Sequence, residues 1–119
     1  MNNSSTRDLA AYLKKGRISD VLALIQVLAF DEAAHRSEDS LCRELQGLPT
    51  SGKSWTDVAR EHTEFFRVYP TTGCGVSLIT RHVGLKSRDG RQVLSSDVTL
   101  KLMDMALEIH DRQVKRAER

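Results

Sequence analysis

Ser54-Trp55-Thr56-Asp57-Val58-Ala59-Arg60-Glu61-His62-Thr63-Glu64-Phe65-Phe66-Arg67-Val68-Tyr69, followed after a turn by Val76-Ser77-Leu78-Ile79-Thr80-Arg81-His82-Val83, is the stretch that decides the fold. Its periodicity changes partway. Ser54 and Asp57 form a capping pattern, and Trp55, Val58, His62 and Phe65 then recur at helical spacing on one side. From Phe66 onward, aromatic and β-branched residues read as two strands, and Pro70-Thr71-Thr72-Gly73-Cys74-Gly75 between them is turn chemistry. A helix therefore runs straight into a β-hairpin.

Upstream, the pattern is helical throughout. Ser5 and Asp8 open a first helix whose stripe is Leu9, Tyr12 and Leu13, ending at Gly16. Ser19 is the expected cap of a second helix, with Asp20 in the first turn, where the helix dipole favours negative charge. That helix carries Val21, Leu22, Leu24, Ile25, Val27, Leu28 and Phe30 in nearly every direction, as a central core helix does. Ser37 caps a short third helix, with Leu41, Cys42 and Leu45 facing inward and Gly47 stopping it. Downstream of the hairpin, Ser95 or Ser96 caps a last helix. The predicted class is mostly α with one β-hairpin, an α+β fold. Residues 1–17 form an N-terminal helix, 18–84 the core unit, 85–95 a basic linker, and 96–119 a C-terminal dimerisation helix.

Three helices followed at once by a hairpin resemble a winged helix-turn-helix over residues 19–83. The passage from Ser54-Trp55-Thr56-Asp57 through Phe65-Phe66-Arg67-Val68 to Val76-Ser77-Leu78-Ile79 is similar to the LOTUS type of winged helix, in which an aromatic pair leads into the first wing strand. The resemblance implies a winged-helix core carrying the long C-terminal helix as an addition. It does not imply a function, because function follows from sites and not from folds.

Bulk composition narrows the classes. The chain has 119 residues, 39% hydrophobic and 29% charged, which suits one folded domain. Its net charge of +2 is unevenly spread. Residues 31–64 carry eight acidic groups against four basic, and residues 65–95 carry five basic against one acidic. Two cysteines are too few for a disulfide framework, the first residues lack an apolar signal core, and residues 21–30 are too short a run to span a bilayer. A cytoplasmic location is expected.

Gly47-Leu48-Pro49-Thr50-Ser51-Gly52-Lys53-Ser54 matches the phosphate-binding pattern G-x-x-x-x-G-K-[ST]. A true P-loop follows a buried strand of a parallel sheet. Here the preceding residues have helical spacing and three acids, so a helix stop, a turn and an N-cap are expected instead. Glu32 and His35 have the E-x-x-H spacing of di-iron bundles, but only one such motif is present and a capped helix end is the simpler reading. Cys74 and His82 face across the hairpin without an orienting third group. No catalysis, cofactor, metal or small-molecule substrate is expected.

Two partner classes remain. A DNA-reading winged helix presents Arg, Lys, Asn or Gln from its recognition helix. This one presents Thr56, Asp57, Arg60, Glu61, Thr63 and Glu64, three acids against one base, which phosphates would repel. The basic groups are Arg67, Arg81, Lys86, Arg88 and Arg91, on the wing and the linker, suited to a backbone contact with DNA or RNA. The last helix points to protein contact. Val98, Leu102, Met105 and Ile109 form one apolar stripe for docking on the domain, and Leu100, Met103, Leu107 and Val114 form a second about 170° away. Covering that second stripe makes a homodimer the leading expectation. Because the helix runs into Arg112, Lys115, Arg116 and Arg119 without a stop signal, membrane attachment is expected only if the native chain continues past residue 119.

Overall fold

The computed structural model describes residues 11–31, 35–69, 75–82 and 93–118. The fold is α+β. A 3-10 turn at Ala11–Leu13 leads into helix α1, Arg17–Phe30; strand β1, His35–Arg36, precedes α2, Glu38–Glu44, and α3, Trp55–Arg60. Strands β2, Phe66–Val68, and β3, Val76–Leu78, form the hairpin, and a 3-10 turn at Ile79–His82 and helix α4, Ser96–Ala117, complete the chain. The proposed helix opening at Ser5 lies outside the described residues up to Ala10, and its end, Ala11–Leu13, is 3-10 and not α.

Helix α1 is the centre of the core. Val21, Leu24, Ile25, Leu28 and Ala29 are fully buried, while Phe30 stays half exposed, so the helix is not covered all round. It begins two residues before the expected cap. Gly16, not Ser19, occupies the N-cap, in the left-handed region at φ 80°, and makes no side-chain cap. A Cβ there would also meet Thr50 Cγ2 at 3.0 Å, so a glycine meets both demands. The caps of the later helices follow the sequence. The side chains of Ser37, Ser54 and Ser95 accept from the amides of Ser40, Asp57 and Val98.

The sheet holds a strand that patterning did not reveal. β1 pairs antiparallel with β3, giving the order β1-β3-β2. Two polar residues give no alternating signal, and only the pairing partner makes them a strand. β3 is shorter than expected. After Leu78 the chain leaves the ladder, Ile79 N donates to Phe65 O, and the 3-10 turn carries Arg81 beneath α1. Val76, Ser77 and Leu78 are all buried, since β3 lies between two strands and against α1.

The described residues share one core. Tyr12 from the first turn, Trp55, Val58 and Ala59 from α3, Phe65 and Phe66, and Leu102 and Ala106 from α4 join the α1 residues in a single cluster. Where β1 meets β3, Gly75 leaves no space for a side chain: an added Cβ would fall 1.7 Å from Arg36 O. Gly75→Ala is therefore expected to separate β1 from β3 and lower stability by about 2 kcal/mol or more. Urea unfolding checks this, with Gly47→Ala, whose added Cβ meets nothing within 4 Å, as the comparison for backbone strain alone.

Candidate functional site

The segment resembling a P-loop does its work inside the protein. Gly47, at φ 138°, follows α2, and its amide donates to Cys42 O, while Ser54 caps α3. Between them, Thr50 N donates to Asp20 Oδ1 at 3.3 Å, and Ser51 N donates to Asp20 Oδ2 at 2.8 Å. Ser51 Oγ donates to the same carboxylate oxygen at 2.5 Å. These donors of Thr50 and Ser51 are thus taken up by the protein's own Asp20 carboxylate. The Ser54 hydroxyl accepts from Asp57 N at 3.0 Å, and Lys53 is exposed.

Arg17 completes this latch from one turn earlier on α1. It is 2% exposed. Nε donates to Ser51 Oγ at 2.7 Å and Nη2 to Ser51 O at 3.0 Å, while Nη1 donates to Glu61 Oε1 at 2.7 Å. The same Nη1 meets His62 Nε2 at 3.2 Å. A guanidinium only donates, so that ring nitrogen accepts, and Nδ1 carries the proton shared with Glu64 Oε2 at 3.0 Å. Tyr12 OH donates to the same Glu64 oxygen at 2.5 Å. Burial pushes the Tyr12 phenol well above its ordinary range, reinforced by Glu64. Burial works against ionisation of Glu64, but hydrogen bonds from His62 and Tyr12 outweigh it and hold its carboxyl below the usual value.

This geometry corrects the reading of the recognition helix. α3 ends at Arg60, because His62 must turn inward to Arg17, and Thr63 and Glu64 lie in the turn beyond it. Glu61, expected on a solvated face, is half buried against Arg17 and also binds Lys14 at 2.8 Å, while Glu64 stays exposed, as expected, and still accepts from Tyr12 and His62. Thr56 is committed as well. Glu38 of α2 accepts from Trp55 N, Thr56 N and Thr56 Oγ1 at 3.0, 2.8 and 2.7 Å, capping α3 from another helix. Arg60 pairs with Asp57 at 2.7 Å.

The expected wing cations separate into three groups. Lys86, Arg88 and Arg91 lie outside the described residues. Arg67 is exposed on β2, with its guanidinium 5.4 Å from the Tyr69 ring centroid. Arg81 is not on the surface: it is 7% exposed, and Nη1 donates to Leu28 O at 2.9 Å and Asp31 O at 2.5 Å. It satisfies carbonyls that the end of α1 leaves open, with a cation where the dipole wants one. Burial draws its guanidinium below the usual value against the pull of Asp31. Patterning cannot find this, since the spacing predicts a strand through Arg81 and a 3-10 turn re-aims it. In its place Arg60 joins Arg67. Both line a groove of about 430 Å³ with Thr63, Phe66, Val68 and Ile79.

On α4, the residues facing the core are Thr99, Leu102 and Ala106. The stripe expected to dock was Val98, Leu102, Met105 and Ile109, yet Val98 and Met105 are 36% and 50% exposed. Small Ala106, and Thr99 with its hydroxyl donating to Ser95 O at 2.9 Å, let α4 approach α1 closely; ranking residues by apolar size misses them. Of the second stripe, Leu100 is 57% and Leu107 41% exposed, while Met103 and Val114 are half buried. Among the described residues no group of three His, Cys, Asp or Glu side chains converges as a metal site would, and no helix is long and apolar enough to cross a membrane. Glu32 and Cys74 lie outside the described residues, and His35 packs its ring on Tyr69 at 5.4 Å.

Comparison with known protein families, characterised proteins and solved structures yields no match for the chain. The site must be read from its own residues.

Two outcomes follow from the latch. Titration calorimetry with ATP or GTP and magnesium should show no saturable heat, and Lys53→Ala should leave the unfolding midpoint unchanged. Micromolar binding lost on that substitution would contradict the latch. Glu38, Glu61 and Glu64 all have carboxyls held below the ordinary 4.5 by hydrogen bonds that overcome burial. Lowered folded values mean stability fully present above the unfolded value and lost as pH falls through the folded ones. Denaturant midpoints should therefore fall below about pH 5, and Glu64→Gln should flatten that fall.

Proposed function

We propose that the chain is a non-enzymatic winged-helix adaptor module that acts through protein contact and pairs with a second copy along α4. Support for the winged-helix part is the order α1, α2, α3, hairpin, with β1 tying the hairpin to the connection between α1 and α2. Support for protein contact is the composition of the surface. Thr56 and Arg60 of the six-residue α3, and Glu61 just beyond it, are bound to the protein's own groups, which leaves little with which to read a base edge.

The observation that carries the reading is the exposure of Leu100 and Leu107 on a helix already docked by another strip. Each keeps roughly half its surface in water, so covering it contributes about 1–2 kcal/mol. A second copy supplies the same stripe in return, and closed two-fold dimers are the commonest oligomer. Free Cys42 accords with a reducing, cytoplasmic setting.

One observation favours nucleic acid as a second reading: Arg60 and Arg67 flank the same apolar-floored groove. If that groove holds a phosphate backbone, binding of duplex DNA or single-stranded RNA followed by anisotropy should fall steeply with salt and vanish in Arg60→Glu/Arg67→Glu.

Light scattering tests the leading reading. The intact chain should have the mass of a dimer at micromolar concentrations, and Leu100→Lys/Leu107→Lys should be a monomer with unchanged helix content. An intact chain that stays monomeric contradicts the reading.

A further inference from the structure

We propose that the two α4 helices of the pair run parallel, bringing both winged-helix heads to the same end. This deepens the dimer reading and rests on it. The stripe has a seven-residue register: Leu100, Leu107 and Val114 occupy one rank, and Met103, His110 and Ala117 the other; Leu100, Leu107 and Ala117 are exposed, Val114 and His110 are half buried, and Met103 also touches the protein's own core. Viewed down the helix, this seam lies roughly 80° from the direction of Thr99, Leu102 and Ala106, which point into the protein's own core. On the opposite side of the seam, by a similar angle, Asp97, Asp104, Asp111 and Glu118 form a row, also seven residues apart and all exposed. Among the described residues, Asp97, Asp104 and Glu118 make no ion pair, and Asp111 meets only its neighbour His110, at 3.5 Å.

The seam thus has a domain body on one flank and a file of acids on the other. Symmetry then decides the polarity. In an antiparallel pair the two-fold axis is perpendicular to the helices, so corresponding flanks coincide. Both bodies would crowd one side, and eight carboxylates, four from each chain, would face one another along the other. In a parallel pair the axis runs along the helices, so each flank meets its opposite. The bodies go to opposite sides and the acidic rows are separated by the full width of the helix pair. Aligning two helix dipoles has a cost, but it is confined to the end turns and screened by solvent. The like charges repeat along the whole seam, so the charge row wins.

Cysteine crosslinking of the full chain in a Cys42→Ser/Cys74→Ser background tests this, with light scattering as the separate check that a dimer exists. Val114→Cys should crosslink to itself under mild oxidation, with a yield several-fold above that of an equimolar mixture of Leu100→Cys and Val114→Cys chains forming the mixed product. Leu107→Cys, near the middle of the seam, should crosslink in either polarity and reports that this face is the interface. A dimer giving the Leu100–Val114 product in preference overturns the parallel arrangement. A dimer in which Leu107→Cys does not crosslink overturns the seam itself, and a monomer overturns the underlying dimer reading.

Discussion

Burying a guanidinium costs several kcal/mol unless its donors find acceptors with good geometry. Arg17 finds four, and every one of them lies more than thirty residues away in sequence. Ser51 fixes the loop between α2 and α3 to the start of α1. Glu61 and His62 fix the end of α3 to the same place. Through Glu64 the chain of contacts reaches Tyr12, whose ring packs edge-on to His62 at 4.4 Å and whose backbone amide donates to Gln113 Oε1 of α4 at 3.2 Å. The apolar core lies beneath this lattice of charges. Hydrophobic burial supplies the driving force, and the polar lattice determines which helix ends meet.

The same lattice removes groups from the surface. Asp20, Glu38 and Arg81 look like solvated helix or wing charges when read along the chain, yet each holds backbone groups of a distant element. Among the described residues, the Arg60–Arg67 groove and the outer side of α4 are surfaces this lattice does not occupy.

The parts of this structure governed by local rules were legible in the sequence. The caps at Ser37, Ser54 and Ser95 depend on residues three apart, and the change from helical to strand spacing after Phe65 is contained in a few positions. The helix stop, turn and N-cap between Gly47 and Ser54 were legible because the residues before them have helical spacing. What escaped was non-local. His35 and Arg36 become a strand only because Val76 and Ser77 are beside them. Gly16 stands at the N-cap in a left-handed conformation, where a side chain would meet Thr50. The docking strip of α4 is made of Thr99 and Ala106 as much as Leu102, and small residues carry no apolar signal although they decide how closely helices approach.

If the Arg17 lattice organises the fold, removing the guanidinium while keeping the bulk of the side chain should leave His62 without its donor and Ser51 loose, with the apolar core untouched. Equilibrium urea unfolding of Arg17→Met measures this directly. A loss of about 3 kcal/mol or more is predicted, the cost of leaving buried partners uncompensated. An unfolding midpoint equal to that of the unaltered chain would contradict the account.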